Sequence, residues 1–244
     1  MYGSISGYKS GYGDIESGSS LYPGLTQQDN VLRWGFIRKV YGILTTQVLL
    51  TAVVASVVVF YHPFTAFLVT TPGLPLIMAF LPLILLCPLY YYHQSHPINL
   101  VLLGFFTVSL AFTVGISCAF TQGYIVLEAL VMTATVVLAL TAYTFWASKR
   151  GQDFSFLGPI LFAAILTLIV WGLIQAFFPA SRVGSSIFAA LGVIIFSAYI
   201  VYDTDNLIKR YNYDEYIWAS VALYLDVLNL FLSLLQLLRG VQSN

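Results

Sequence analysis

The run YIWASVALYLDVLNLFLSLLQLL, Tyr216–Leu238, places a carboxylate in the middle of an apolar segment. A membrane-crossing helix needs about 20 apolar residues, and this run supplies them. Asp226, Asn229, Ser233 and Gln236 within it step by three, four and three residues, which lays them along one helical face. The other faces carry leucine, valine and phenylalanine. Burying a lone carboxylate in hydrocarbon costs about 2.5–3.5 kcal/mol on insertion scales. Asp226 must therefore find a partner, a proton or an ion. The preceding run offers one. Near its end Tyr199, Asp203 and Asn206 share a face, with Tyr202 and Asp205 beside it. Consecutive antiparallel helices can turn these two stripes toward each other, so Asp203 and Asp226 form a candidate shared site for cations or protons.

Composition places this pair in a membrane. The 244 residues are 59% hydrophobic and 8% charged, with mean hydropathy +0.86, against about 25% charged in soluble domains. Seven candidate spans follow: Val40–Tyr61, Leu74–Tyr92, Ile98–Phe120, Tyr124–Ala147, Phe156–Phe178, Ser185–Leu207 and Tyr216–Leu238. Their linkers are short. The expectation is an all-α integral membrane protein, a seven-transmembrane-helix bundle over residues 31–244. Residues 1–30, rich in Gly, Ser and Tyr, lack any apolar period and read as a disordered cytosolic tail. They also lack the apolar core of a cleavable signal peptide, so the first span itself is expected to direct targeting.

Basic residues give the orientation. Lys9, Arg33, Arg38, Lys39, Lys149, Arg150, Lys209 and Arg210 fall on one side of this topology, and Arg182 and Arg239 on the other. The positive-inside rule makes the first side, and the N-terminus, cytosolic. Seven full spans put the C-terminus across the membrane; a re-entrant last run would return it to the cytosol.

Two carboxylates sharing a site cannot both ionise cheaply, so such a pair holds one proton between them or gives it up to a cation. Ca²⁺ prefers carboxylate and carbonyl oxygens, and the chemistry fits a pH-sensitive cation site that holds Ca²⁺ transiently between Asp203 and Asp226. Asn206, Asn229 and Ser233 extend the stripes, and with Glu128 they make a candidate ion pathway. Glu128, near the start of the fourth run, either faces an aqueous vestibule or caps a helix N-terminus. Asp205 can pair with Lys209 at i+4 and reads as a solvated helix-end acid. His93 and His96 flank a polar turn, where they are either surface histidines or modulators of pH response. Cys87 and Cys118 read as buried apolar fillers. No phosphate loop, dinucleotide-binding glycine pattern, nucleophile elbow or zinc cluster is present, so neither an enzyme nor a nucleic-acid partner is expected. Short inter-helix loops argue against a signal receptor.

Several motifs are familiar. Phe36–Ile37–Arg38–Lys39–Val40–Tyr41 opens the first span, after Leu21–Tyr22–Pro23–Gly24. Tyr90–Tyr91–Tyr92–His93 and His96–Pro97–Ile98–Asn99 bracket the turn after the second. Val126–Leu127–Glu128–Ala129, Asp153–Phe154–Ser155–Phe156–Leu157, Tyr202–Asp203–Thr204–Asp205 and Leu223–Tyr224–Leu225–Asp226–Val227–Leu228–Asn229–Leu230–Phe231 follow. Over about residues 20–240 the chain resembles the Bax inhibitor / Lifeguard family of transmembrane Bax-inhibitor-motif proteins, nearest its plant branch. The resemblance implies six helices around a central seventh, a pH-sensitive Ca²⁺ leak, and suppression of stress-induced cell death. It implies that Asp203 and Asp226 act as pH sensor and pore latch. Ca²⁺ is then the transported ion and H⁺ the regulator, with no tightly bound cofactor. The endoplasmic reticulum is the implied location, with vacuolar, Golgi or plasma membrane as alternatives. Bacterial relatives carry an arginine at the end of the second helix that engages the pair; Tyr91–His96 here holds neither Arg nor Lys. The alternative function is a non-conducting anti-apoptotic protein acting through membrane-protein partners.

Overall fold

The computed structural model describes residues 20–178 and 181–242. Residues 1–19, most of the expected tail, lie outside them. Eight helices are present among the described residues: α1 (Gln27–Phe60), α2 (His62–Thr70), α3 (Leu74–Tyr91), α4 (Ile98–Ala119), α5 (Gly123–Lys149), α6 (Leu157–Phe177), α7 (Arg182–Lys209) and α8 (Tyr216–Gln242). Six of them, α1 and α4 to α8, are long and apolar enough to cross a membrane. The expectation of a seven-helix membrane bundle is thus met in part, and two helices make the difference.

The first is α2. The opening apolar run stops at Tyr61 because Pro63 follows two residues later, in the first turn of the next helix, where a missing amide costs nothing. The Thr65 hydroxyl donates to the Val58 carbonyl and holds α2 against the end of α1. Gly73, at φ +81°, then turns the chain into α3, a backbone conformation that suits glycine. The second is α3 itself. Its 18 residues, interrupted by Pro82 and Pro88, rise about 27 Å at 1.5 Å per residue, close to but below the roughly 30 Å hydrocarbon core.

Helix α1 begins at Gln27, ahead of the apolar run. Thr26 caps α1 by accepting from the Asp29 amide at 3.2 Å, and Asp29 sits where the helix dipole favours an anion. The 34 residues of α1 rise about 51 Å, so its first turns project beyond the hydrocarbon. They are anchored there. Leu21 is fully buried, Trp34 stacks on Phe145, and Arg33 Nη1 donates to the Tyr211 carbonyl at 2.5 Å.

These contacts define two ends of the bundle. At the first, the α1 start meets the α7–α8 turn, Lys39 lies over the Tyr216 ring, and Asn99 of α4 donates to the Tyr216 hydroxyl at 3.2 Å. Tyr90, at the end of α3, packs on Trp218 of α8, and the α5–α6 loop reaches α7 through Phe154 and Asp205. At the second, Gln242 of α8 donates to Glu128 of α5 and Gln236 to Ser185 of α7. The last helix therefore runs the length of the bundle as one continuous helix. It packs on α1, α4, α5 and α7. Half of its most apolar window is buried, against 11–39% in the other five long helices, so α8 is the interior element.

Helix α4 lies close against α1 at Gly115. A Cβ there would stand 2.7 Å from Val58 Cβ and 3.1 Å from Ala55 Cα, the kind of approach small residues permit between membrane helices. Gly115→Leu is expected to destabilise the protein by about 1–3 kcal/mol through overpacking, read as a lower unfolding midpoint in detergent. Gly104→Ala on the same helix, where no atom lies within 4 Å of the added carbon, is the control expected to match the parent. Equal losses in the two variants would show the α1–α4 contact to be irrelevant.

Candidate functional site: an acid pair between the last two helices

The polar stripe of α8 faces α7 along most of its length. Asp226 lies within side-chain hydrogen-bonding reach of Asp203. Further along, Ser233 packs where Gly192 leaves room: a Cβ on that glycine would come within 2.5 Å of Ser233 Oγ. Gln236 Nε2 donates to Ser185 Oγ at 2.9 Å. The 3–4–3 spacing thus codes for one helix–helix seam. Asn229, counted in the candidate pathway, instead turns back and donates to the Leu225 carbonyl of its own helix at 2.8 Å.

Asp226 is 5% exposed, and its Oδ2 is buried without a hydrogen-bond donor. An unsatisfied buried carboxylate oxygen is costly, and a proton shared with Asp203 or a bound cation removes that cost. Asp203 Oδ1 accepts from Asn206 Nδ2 at 3.3 Å. Asn206 Oδ1 in turn accepts from Arg210 Nη1 at 2.6 Å. The acid pair is thereby linked through one amide to a cation at the C-cap of α7. No arginine of the second apolar run is needed for this, and none exists.

Arg210 belongs to a cluster of which the sequence reading caught one contact. Asp205, expected to be solvated, is instead fully buried. The i,i+4 pair with Lys209 forms, at 2.5 Å, and Arg210 Nη1 adds a second ion pair at 3.0 Å. The Phe154 amide donates to Asp205 Oδ2 at 3.3 Å, and Arg210 Nη2 reaches across to Asp153. Lys209 also donates to the Gln152 carbonyl. These bonds tie the α5–α6 loop to the end of α7. Sequence could have signalled the cluster through Asp153, a lone acid in a short loop opposite Lys209–Arg210, but the pairing is long-range.

Asp153 cannot be a pH sensor. The Ser155 amide donates to it at 3.0 Å, and that bond, with smaller contributions from Arg210, holds its carboxyl down at about 2. A depressed carboxylate contributes stability above its unfolded value of about 3.9 and loses it only as pH falls toward 2. Across neutral pH its charge is constant. Burial, and secondarily the negative charge of Asp203 and Asp226, pushes the Tyr211 phenol above its ordinary value, so it too stays neutral there.

The remaining candidates lie elsewhere. Glu128 is exposed at the opposite end, where it accepts from Gln242 Nε2 at 3.2 Å. It is not a helix cap, because α5 begins at Gly123 with no acid in its first turn. His93 stacks on Tyr90 and is bonded to its carbonyl, and His96 is exposed. Both histidines sit at the first end without entering the hydrogen bonding of the acid pair. Cys118 is buried as expected, but Cys87 is exposed; both are free thiols. Among the described residues no group of three or more His, Cys, Asp or Glu could hold a metal. Two carboxyls alone suit a passing cation better than a resident one.

The model for the family "Inhibitor of apoptosis-promoting Bax1" matches residues 33–244. Protein LIFEGUARD 4 of Arabidopsis thaliana is 57% identical over 237 residues, covering 94% of this chain and 96% of its own. Protein lifeguard 4 of Mus musculus is 40% identical over 87% of each chain. The Golgi anti-apoptotic protein of Vaccinia virus (strain Lister) is 41% identical over 85% of this chain and 86% of its own. With a buried acid pair on the seam of its last two helices and relatives of this closeness over most of its length, the chain is a multi-pass membrane protein of the Bax inhibitor / Lifeguard family.

Proposed function

We propose that this protein is a pH-sensitive Ca²⁺ leak channel of an endomembrane, and that this leak is how it suppresses stress-induced cell death. The observation that carries the reading is Asp226: a carboxyl buried on the innermost helix, with an undonated oxygen and a second carboxyl within reach. An interior acid of this kind has no packing role that leucine would not fill better. The anti-apoptotic part rests on the names of the family and of the vaccinia relative, and the same relative's name favours an internal membrane.

In this reading α3 is the seventh crossing. It leaves the second end, where α1 stops against Gly115 of α4, and arrives at the first end beside Trp218. Its length of about 27 Å suits the thinner endoplasmic reticulum bilayer. Seven of the nine described basic residues gather at the first end, which is then cytosolic. Asp203, Asp226 and Ser233 lie on the path, and Glu128 stands at its far mouth.

The test is Ca²⁺ flux into proteoliposomes holding the purified protein alone. Flux is expected to rise with pH, as the pair gives up its shared proton. Absence of flux at every pH would overturn this reading and favour the non-conducting one, in which partner proteins carry the anti-apoptotic effect.

A further inference from the structure

We propose that the cavity at the second end of the bundle binds the phosphate group of an anionic membrane lipid. Its volume is about 580 Å³, and Ser117, Arg182, Ser185, Gln236 and Arg239 line it, with Leu232 and Leu235 as an apolar wall. The two arginines are the only basic residues among those described that break the charge asymmetry of the chain. Far apart in sequence, they meet at one cavity. Arg182 opens α7 and Arg239 lies in the last turn of α8, so a site built from both requires the antiparallel seam.

The donor set fits phosphate. Guanidinium groups present planar forks that match phosphate oxygens. The Ser185 hydroxyl, which accepts from Gln236 Nε2 at 2.9 Å, keeps its own proton to donate, and the Gln236 amide adds a second neutral donor, whereas Ser117 Oγ already donates to the Thr113 carbonyl at 2.9 Å. The first turn of α7 adds its own positive end. The Glu128 carboxylate of neighbouring α5 accepts from Gln242. Position favours a lipid over a soluble anion. Ser117, Arg182 and Arg239 all lie in terminal turns of membrane-spanning helices, at the depth of headgroups, and the leucine wall offers a surface to the glycerol and first methylenes. The inference stands whether or not the acid pair conducts.

The probe is phosphatidic acid at low mole fraction in phosphatidylcholine, with lipid adducts on the intact protein counted by native mass spectrometry. Wild type is expected to retain phosphatidic acid in preference to phosphatidylcholine. Arg182→Gln and Arg239→Gln should each weaken that preference about tenfold, the scale of one charge-assisted contact. Arg38→Gln, at the opposite end, should leave it intact. Equal retention by the Arg182→Gln/Arg239→Gln double variant would overturn the proposal. If that variant does not fold, wild type still decides the matter. Its unfolding midpoint should rise with phosphatidic acid over phosphatidylcholine, and no rise overturns the proposal. An equal rise with inorganic phosphate alone overturns the lipid assignment in favour of a soluble anion.

Discussion

Asp205→Ala is expected to destabilise the protein by about 3 kcal/mol, the lower end of the range for removing one partner of a buried ion pair. The side chain is inaccessible and accepts from the Phe154 amide, Lys209 and Arg210. Its removal leaves two cations side by side with Asp153 as their nearest remaining counter-charge. The Lys209 and Arg210 side chains are 15% and 35% exposed, so water screens part of the loss, which is why the lower end applies. Asp205→Asn keeps one acceptor and should cost less, about 1–2 kcal/mol. Unfolding in detergent measures both, and hydrogen exchange should show the amides of Gln152 and Phe154 losing protection first as the α5–α6 loop lets go of α7. An alanine variant within about 0.5 kcal/mol of the parent, the ordinary range for surface changes, would return Asp205 to the solvated role its sequence position implies.

Asp205 also shows where sequence reading stops. Periodicity found the α8 stripe because Asp226, Ser233 and Gln236 repeat on one face, and it found the partner stripe around Asp203 for the same reason. Such signals are local. The burial of Asp205 depends on a loop more than fifty positions earlier folding over it, which no helical period encodes. The start of α1 is hidden from sequence for a related reason. The polar first turns of α1 lack an apolar run, yet the Thr26 cap and the contacts of Arg33 and Trp34 with distant segments make them helical. Pro63 was the readable sign that the first run would break, and α2 follows from it. Asn229 has the correct spacing for the seam but satisfies its amide on its own backbone, an option that spacing cannot reveal.

Asp203→Asn and Asp226→Asn are each expected to flatten the pH dependence of Ca²⁺ flux. In the proposed reading the carboxyls attract with one proton between them, and the seam of α7 and α8 stays closed. As pH rises that proton leaves and two anions face each other. At about 4 Å and an effective dielectric constant near 20 their repulsion is roughly 4 kcal/mol, on the order of a thousandfold in an opening equilibrium. The sign is therefore fixed: flux rises with pH through one coupled titration that belongs to the pair. An asparagine at either position removes the second charge, so neither variant can generate the repulsion, whatever its absolute rate. Two controls separate this from general damage. Asp153→Asn should leave the pH midpoint in place, because Asp153 is already ionised throughout the range. Glu128→Gln, at the far mouth, should lower flux without moving the midpoint. Flux measured across pH in proteoliposomes decides the matter. If both Asp variants keep the parental pH profile, the pair is not the sensor. The two carboxyls would then form a static polar contact between α7 and α8, held by the Asn206 amide, and the anti-apoptotic role would pass to partner binding.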